Sequence, residues 1–311
     1  MVKHETEAKA AKSAGQNGFS EWQNQSRLIE SLTTGFVVGP PKCGTTWLMN
    51  CLNGHPQIVC GGECNGGRVL LTGLLSLMRA FNAHQVKYGQ GPAAQLTDAD
   101  AVFLMRQAAD RQFVNLLANG RGGKRLEEVR CVIDKTPSNA QHLPLLSAVY
   151  AQAKFVCCVR DVRDGAVSGW FHFRKQKWIK ETSIEEYAKA YATQTWAPML
   201  KAARSAGTAL GPARYMEWSY ERSKENPGEE MRRVLNFLGM ASDDASIRSC
   251  LNAGDFAKVS GGRKPGEEAD SFYRKGVVGD HANHLSEEFG QELLRMAEDV
   301  LEPSLAANAR A

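Results

Sequence analysis

The apolar positions of this chain fall into two rhythms. Short runs apolar on both faces, at residues 35–38, 129–133, 155–159 and 214–218, read as strands buried within a sheet. Each run gives way to a turn and then a helical stretch: residues 45–52, around 140–150, from Val162, and from Pro227 with Glu229 and Glu230 in its first turn. Thr97 is the expected N-cap of a further helix, whose stripe Val102, Met105, Ala109, Phe113 and Leu116 repeats at 3, 4, 4 and 3 residues. Ser286, with Glu287 and Glu288 behind it, opens a C-terminal helix through about residue 301. This alternation predicts an α/β fold, a central parallel sheet flanked by helices. Residues 1–33 are polar and lack strong periodicity, so an N-terminal arm is expected there, loose or as a short surface helix. Residues 34–311 are expected to form a single domain, and its Gly-, Lys- and Arg-rich stretch 254–283 to form a lid or binding loop.

Composition narrows the picture by exclusion. With 43% hydrophobic and 23% charged residues among 311, usage is that of a globular protein, not a disordered one. The most apolar stretch, residues 69–78, is about half of the roughly 20 residues a spanning helix requires. The N-terminus carries no apolar signal core. A cytoplasmic protein without membrane insertion is therefore expected. A formal charge of +4, from 38 Lys+Arg against 34 Asp+Glu, does not argue for nucleic acid. The eight cysteines form no disulfide framework and are expected to be reduced thiols. Cys60, Cys64 and His55 lack the second ligand pair of a zinc site, so no metal is expected.

The first strand-like run stops at Gly39-Pro-Pro-Lys-Cys-Gly-Thr-Thr46, close to the phosphate loop G-x-x-x-x-G-K-[ST]. Gly39 and Gly44 fill the glycine positions and Thr46 the hydroxyl position, but Thr45 stands where the lysine belongs. The lysine comes three residues earlier, as Lys42. Exposed backbone N–H groups and a helix N-terminus still favour an anion. The arrangement that places lysine on a terminal phosphate and threonine on magnesium does not survive.

Residues 41–48, Pro-Lys-Cys-Gly-Thr-Thr-Trp-Leu, resemble the 5′-phosphosulfate loop P-K-S-G-T-T-W-L of the sulfotransferases that use 3′-phosphoadenosine 5′-phosphosulfate (PAPS), with Cys43 in place of serine. Arg160-Asp-Val-Arg-Asp-Gly-Ala-Val-Ser168 is similar to that family's 3′-phosphate motif R-[ND]-x-x-D-x-x-x-S. Residues 273–280, Tyr-Arg-Lys-Gly-Val-Val-Gly-Asp, look like its late R-K-G-x-x-G-D loop, and residues 220–227 like its Y-E-D-x-K-x-[ND]-P segment. The resemblance spans about residues 35–301. It implies a P-loop-like strand-loop-helix, PAPS as donor and no required metal.

The resemblance also distributes roles. Lys42 would stabilise charge on the bridging oxygen of the departing nucleotide. Cys43, Gly44, Thr45 and Thr46 would cradle the 5′-phosphate. Arg160 and Ser168, with Arg274, Lys275 and Gly276, would hold the 3′-phosphate. Trp47 and Tyr220 would face the adenine. The histidine base of the cytosolic small-molecule branch has no counterpart near residues 137–138. That stretch instead looks like the E-K-[ST]-P segment of the carbohydrate and bacterial branches, with Asp134 for Glu. Glu63 ranks first as general base, Asp134 second, and His142 or another histidine third. Lys135 either neutralises the sulfuryl group or pairs with Asp134. The basic, aromatic stretch 171–180 is expected to continue the helix after Arg160 and to line the acceptor entrance. The expected acceptor is a soluble, small-molecule hydroxyl compound, and the expected assembly a homodimer without nucleic acid. A kinase-like phosphotransferase and a non-catalytic nucleotide-binding protein are the alternatives.

Overall fold

The computed structural model describes residues 20–89, 91–120, 122–266 and 274–301. Five strands, β1 (Thr33–Val38), β2 (Ile58–Gly62), β3 (Cys131–Lys135), β4 (Lys154–Val159) and β5 (Tyr215–Ser219), build one sheet in the order β2-β3-β1-β4-β5. All neighbours are parallel; Phe36 of β1 lies between Asp134 of β3 and Phe155 of β4. Parallel strands require crossovers, and helices supply them. In chain order these are α1 (residues 20–30), α2 (Thr45–Asn53), α3 (Thr72–Tyr88), α4 (Asp98–Asn119), α5 (Leu143–Val149), α6 (Val162–Lys175), α7 (Ile184–Ala190) and α8 (Ala197–Leu210). Beyond β5 follow α9 (Tyr220–Glu225), α10 (Pro227–Leu238), α11 (Asp244–Ala253), α12 (Phe256–Ser260) and α13 (Glu287–Leu301).

The central strands are buried on both faces, as their uninterrupted apolar runs require. Phe36 stacks on Phe155 at 5.2 Å and meets the edge of Phe113 from α4 at 5.7 Å. Thr97 caps α4 in a full capping box with Asp100. The buried stripe of α4 is Ala101, Met105, Ala109, Phe113 and Leu117; Val102 and Leu116 sit at its margins, half-buried. The spacing located the helix and its central buried positions, and was off by one residue at each end of the stripe.

Other elements also differ from the pattern. The strand expected from residue 129 begins at Cys131, and the helix expected from about residue 140 is a 3-10 turn, Pro137–Gln141, followed by the shorter α5. β2 is a strand that periodicity alone did not mark: only Ile58, Val59 and Cys60 precede two glycines. The arm expected before residue 34 is partly ordered architecture. Ile29 of α1 is fully buried, and Ser26 Oγ donates to the buried Asp110 carboxylate on α4 at 2.6 Å. Arg106 and Tyr150 also donate to Asp110, so α1 is tied to the body of the fold. Residues 1–19 and 267–273, the latter including Tyr273 of the expected lid, lie outside the described residues.

The strand order positions the site. The chain leaves β1 towards the β2–β3 side and leaves β4 towards β5. Loops at the C-terminal ends of β1 and β4 thus diverge and open a crevice between them, the place where open parallel sheets bind ligands.

Candidate active site

That crevice is a cavity of 340 Å³. Its floor is the turn after β1. Gly39 has φ +133°, and a Cβ there would come within 2.3 Å of the Cys158 carbonyl. Gly44, at φ +91°, lies against the Tyr220 ring, which a Cβ would approach to 2.6 Å. Both positions thus require glycine. Lys42 adopts φ +69° without being glycine, a strained conformation of the kind retained at functional sites. Gly44 is the N-cap of α2 and offers no side-chain cap, leaving the first-turn N–H groups for a ligand. Lys42, Gly44, Thr45, Thr46 and Trp47 line the cavity. Burial, then the neighbouring Arg160 and Arg274 cations, bring the Lys42 ammonium down to about 8. Cys43 does not line it: its buried Sγ faces the Tyr191 hydroxyl at 3.9 Å, so only its backbone can serve the loop.

Arg160, the first residue after β4, joins three segments. Its guanidinium donates to the Lys42 carbonyl at 3.4 Å, to the Val277 carbonyl at 3.0 Å and to Asp164 at 3.4 Å, and it lies 4.3 Å over the Tyr220 ring. Its buried Nε has no hydrogen-bond partner among the described residues, an opening that an anion in the crevice would fill. Ser168 also lines the cavity from α6, as do Arg274, Lys275 and Gly276 from the late loop. Arg274 and Lys275 converge on Asp280, Lys275 at 2.9 Å, and these cations with Asn283 hold its carboxyl far below the usual range despite burial. Gly276, at φ +69°, packs on Phe256 where a Cβ would meet the ring at 2.5 Å.

Two supports were not anticipated from the sequence. Asp164, fully buried on α6, accepts from the backbone N–H of Gly279 (2.7 Å) and of His281 (3.0 Å), and sits 2.9 Å from His281 Nδ1. It staples the late loop to the helix that carries Ser168. A π-helical turn, Tyr191–Trp196, holds the two phosphate segments from behind: Tyr191 donates to the Pro41 carbonyl at 2.6 Å and Trp196 to the Arg160 carbonyl at 3.0 Å. Asp164 was visible four residues after Arg160, one helical turn along; the aromatic pair left no signal beyond its apolarity.

At the other end of the cavity stands Glu63. It and Asn65 both adopt positive φ, +45° and +51°. Lys135 Nζ donates to Glu63 Oε1 at 2.9 Å. Asp134, the neighbour of Lys135, points to the opposite face of β3 and does not line the cavity. Its carboxylate accepts from Thr136 Oγ1 (2.8 Å), Asn139 Nδ2 (3.0 Å) and Cys64 N (3.4 Å), bracing the turn that presents Glu63. Burial pushes its pKa up, but these donors occupy it, so the geometry removes Asp134 from direct contact with an acceptor. Lys135 pairs with Glu63, not with Asp134. His142 caps α5 away from the cavity; the histidine that lines it is His172, which burial and Lys42 lower to about 4. Only residues 171–175 continue α6, and 176–180 form a turn beyond it; Phe173 and Trp178 line the cavity. Trp47 and Tyr220 meet at 5.6 Å, with Lys224 Nζ 4.0 Å over Trp47. Among the described residues, no group of three or more His, Cys, Asp and Glu could hold a metal ion, and no helix is long and apolar enough to cross a membrane.

A family model described as "Sulfotransferase family" matches residues 36–244. Among curated proteins, a putative protein-tyrosine sulfotransferase of Caenorhabditis briggsae is 26% identical over 205 residues, 66% of this chain and 65% of that one. Cytosolic sulfotransferase 1 of Arabidopsis thaliana is 26% identical over 170 residues, 49% of this chain and 51% of that one. The chain spans two thirds or less of the length of such relatives; for protein-tyrosine sulfotransferase 2 of Gallus gallus the share is 55%. The crystal structure of mouse sulfotransferase SULT7A1 complexed with PAP shares the fold, with a TM-score of 0.57, 16% identity and 91% of each chain covered.

Proposed function

The chain belongs to the sulfotransferase family, and from that premise we propose that it transfers a sulfuryl group from PAPS to an acceptor hydroxyl, releasing adenosine 3′,5′-bisphosphate. One observation carries this reading: a single cavity holds two anion-binding ends, the uncapped α2 N-terminus and the Arg160–Arg274–Lys275 cluster, with Lys42 and two aromatic rings between them. A nucleotide phosphorylated at both ends of its ribose fits that pair of ends.

Thr45, Thr46 and the loop N–H groups bind the 5′-phosphate; Arg160, Ser168, Arg274, Lys275 and the Gly276 backbone bind the 3′-phosphate; Trp47 and Tyr220 flank the adenine. The acceptor oxygen attacks sulfur as the bond from sulfur to the bridging phosphate oxygen breaks. The electron pair of that bond stays on the phosphate, where the Lys42 ammonium stabilises it. The acceptor proton passes to Glu63, whose carboxylate Lys135 orients.

The acceptor end has aromatic walls, Phe173 and Trp178. A 340 Å³ cavity is at the small end of ligand sites, about 300–1,000 Å³, so with the nucleotide inside only the hydroxyl-bearing end of an acceptor enters. A flat, phenolic end suits such walls. The small-molecule acceptor expected from the sequence satisfies this. So does a tyrosine side chain of a polypeptide, which the names of the protein-tyrosine relatives favour as a second reading.

Sulfur-labelled PAPS offered with a small phenol and, separately, with a tyrosine-containing peptide tests both. Label on either acceptor, reduced roughly 100-fold or more by Glu63→Gln, supports the assignment. No label on any hydroxyl, with no calorimetric binding of adenosine 3′,5′-bisphosphate, defeats it. Magnesium-dependent ATP turnover would instead establish the kinase-like alternative.

A further inference from the structure

We infer that the surface beside the cavity is a docking surface for an anionic phospholipid bilayer, formed by α3 on one side and by the end of α6 with the turn beyond it on the other. α3 has 17 residues and buries only Met78. Val69, in the turn that leads into it, and Leu77, Phe81 and Tyr88 recur at intervals of 8, 4 and 7 residues, which places them on one helical face. That face is open: Val69, Leu77 and Tyr88 are 60%, 67% and 68% exposed. Such a stripe on a surface helix otherwise faces a core.

Charge indicates what covers it. Between Asn65 and Thr97 the sequence contains no Asp or Glu but does contain Arg68, Arg79 and Lys87. The second element repeats the composition. Residues 171–180 include Arg174, Lys175, Lys177 and Lys180 and no carboxylate, and within them Trp178 is 73% exposed, stacked on Phe173 at 5.5 Å. Together the two segments carry +7 where the whole chain carries +4, leaving −3 for everything else. Cations interleaved with exposed aliphatic and aromatic side chains are the pattern of helices that lie in an anionic membrane interface, with tryptophan at the headgroup level.

Both elements connect to the cavity. Phe173 and Trp178 line the cavity directly. The shallow groove along α3, with Val69, Gly73 and Leu77 in its wall, begins at Asn65, which also lines the cavity. Continuity of both patches with one opening distinguishes them from scattered surface apolar residues. The contact lies in the interface plane and involves no spanning helix.

Vesicle co-sedimentation of the intact chain tests the inference independently of the donor assignment, because it reads binding and not turnover. Phosphatidylcholine vesicles are compared with vesicles containing roughly one third phosphatidylserine. Binding to the anionic vesicles is expected, weakened by salt and by about tenfold in Leu77→Glu/Phe81→Glu, a variant of exposed positions whose affinity for adenosine 3′,5′-bisphosphate should stay unchanged. Absence of binding to the anionic vesicles overturns it. Binding that the double variant leaves intact overturns it too, since the attraction would then be charge elsewhere on the surface. Concentration-dependent dimerisation abolished by the double variant, without vesicle binding, assigns the stripe to self-association and likewise defeats the proposal.

Discussion

Lys42 concentrates the chemistry of the site in one strained residue. Its positive φ and its place before an uncapped helix N-terminus come from the tight turn after β1, and its lowered basicity from burial beside Arg160 and Arg274. Replacing it with alanine removes a donor that acts mainly on the departing phosphate oxygen. Lys42→Ala should lose about 10²–10³-fold in turnover yet keep most affinity for adenosine 3′,5′-bisphosphate. Single-turnover rates together with calorimetry separate these, and equal losses in both would make Lys42 a binding residue only. The pH dependence has a definite sign. The working form is the ammonium, present below its pKa, so kcat/KM should be level on the neutral side and fall as pH rises through about 8. The anionic donor favours the charged lysine, so the limb in kcat lies at higher pH. A kcat/KM profile level through the alkaline range would exclude the ammonium. The alternation of β3 is the residue-scale lesson about legibility. Asp134 and Lys135 are adjacent, and successive side chains on a strand face opposite ways, so both could not serve one cavity. The sequence held that constraint. Which of the two met the cavity residue Glu63 depended on partners: Glu63 from the turn after β2 takes Lys135, while Thr136 and Asn139 take Asp134.

At the scale of elements, strands buried on both faces were the most legible because continuous apolar runs leave few alternatives. β2 was faint, since a strand of five residues ending in two glycines carries little pattern. The donor loops could be read because each needs particular residue types, namely glycine at positive φ and arginine at a strand end. What holds the loops together could not. Asp164 reaches the Gly279 N–H across 115 residues and Tyr191 the Pro41 carbonyl across 150, and neither of these pairs forms a local motif. Asp164 is a positioning residue, touching the late loop and Arg160 and not lining the cavity. Asp164→Asn keeps the shape but loses acceptor capacity for two backbone N–H groups and a guanidinium. Affinity for adenosine 3′,5′-bisphosphate should fall roughly tenfold, while affinity for AMP, which lacks the phosphate bound by the late loop, should change little. An equal loss for both nucleotides would show general damage to the fold.

For the whole molecule, the strand order explains why one ligand can organise so much of the chain. The crevice between β1 and β4 receives the loop after each of these strands, α9 after β5, and the late loop from beyond α12. These segments come from residues 39 to 280 and are joined through Arg160, Asp164, Tyr191 and Trp196. A nucleotide with a phosphate at each end bridges them, and because it binds the folded chain alone it stabilises by mass action. At about 100 times its dissociation constant, adenosine 3′,5′-bisphosphate should add about 2.7 kcal/mol. In a domain of this size that corresponds to roughly 4–5 °C in Tm. AMP at the same concentration keeps the adenine rings and the α2 end but not the 3′-phosphate cluster, and should give a clearly smaller shift. Differential scanning fluorimetry across a concentration series distinguishes the cases. A shift as large with AMP would mean that the Arg160–Arg274–Lys275 cluster holds no phosphate, and that its cations serve only to pair with Asp164 and Asp280.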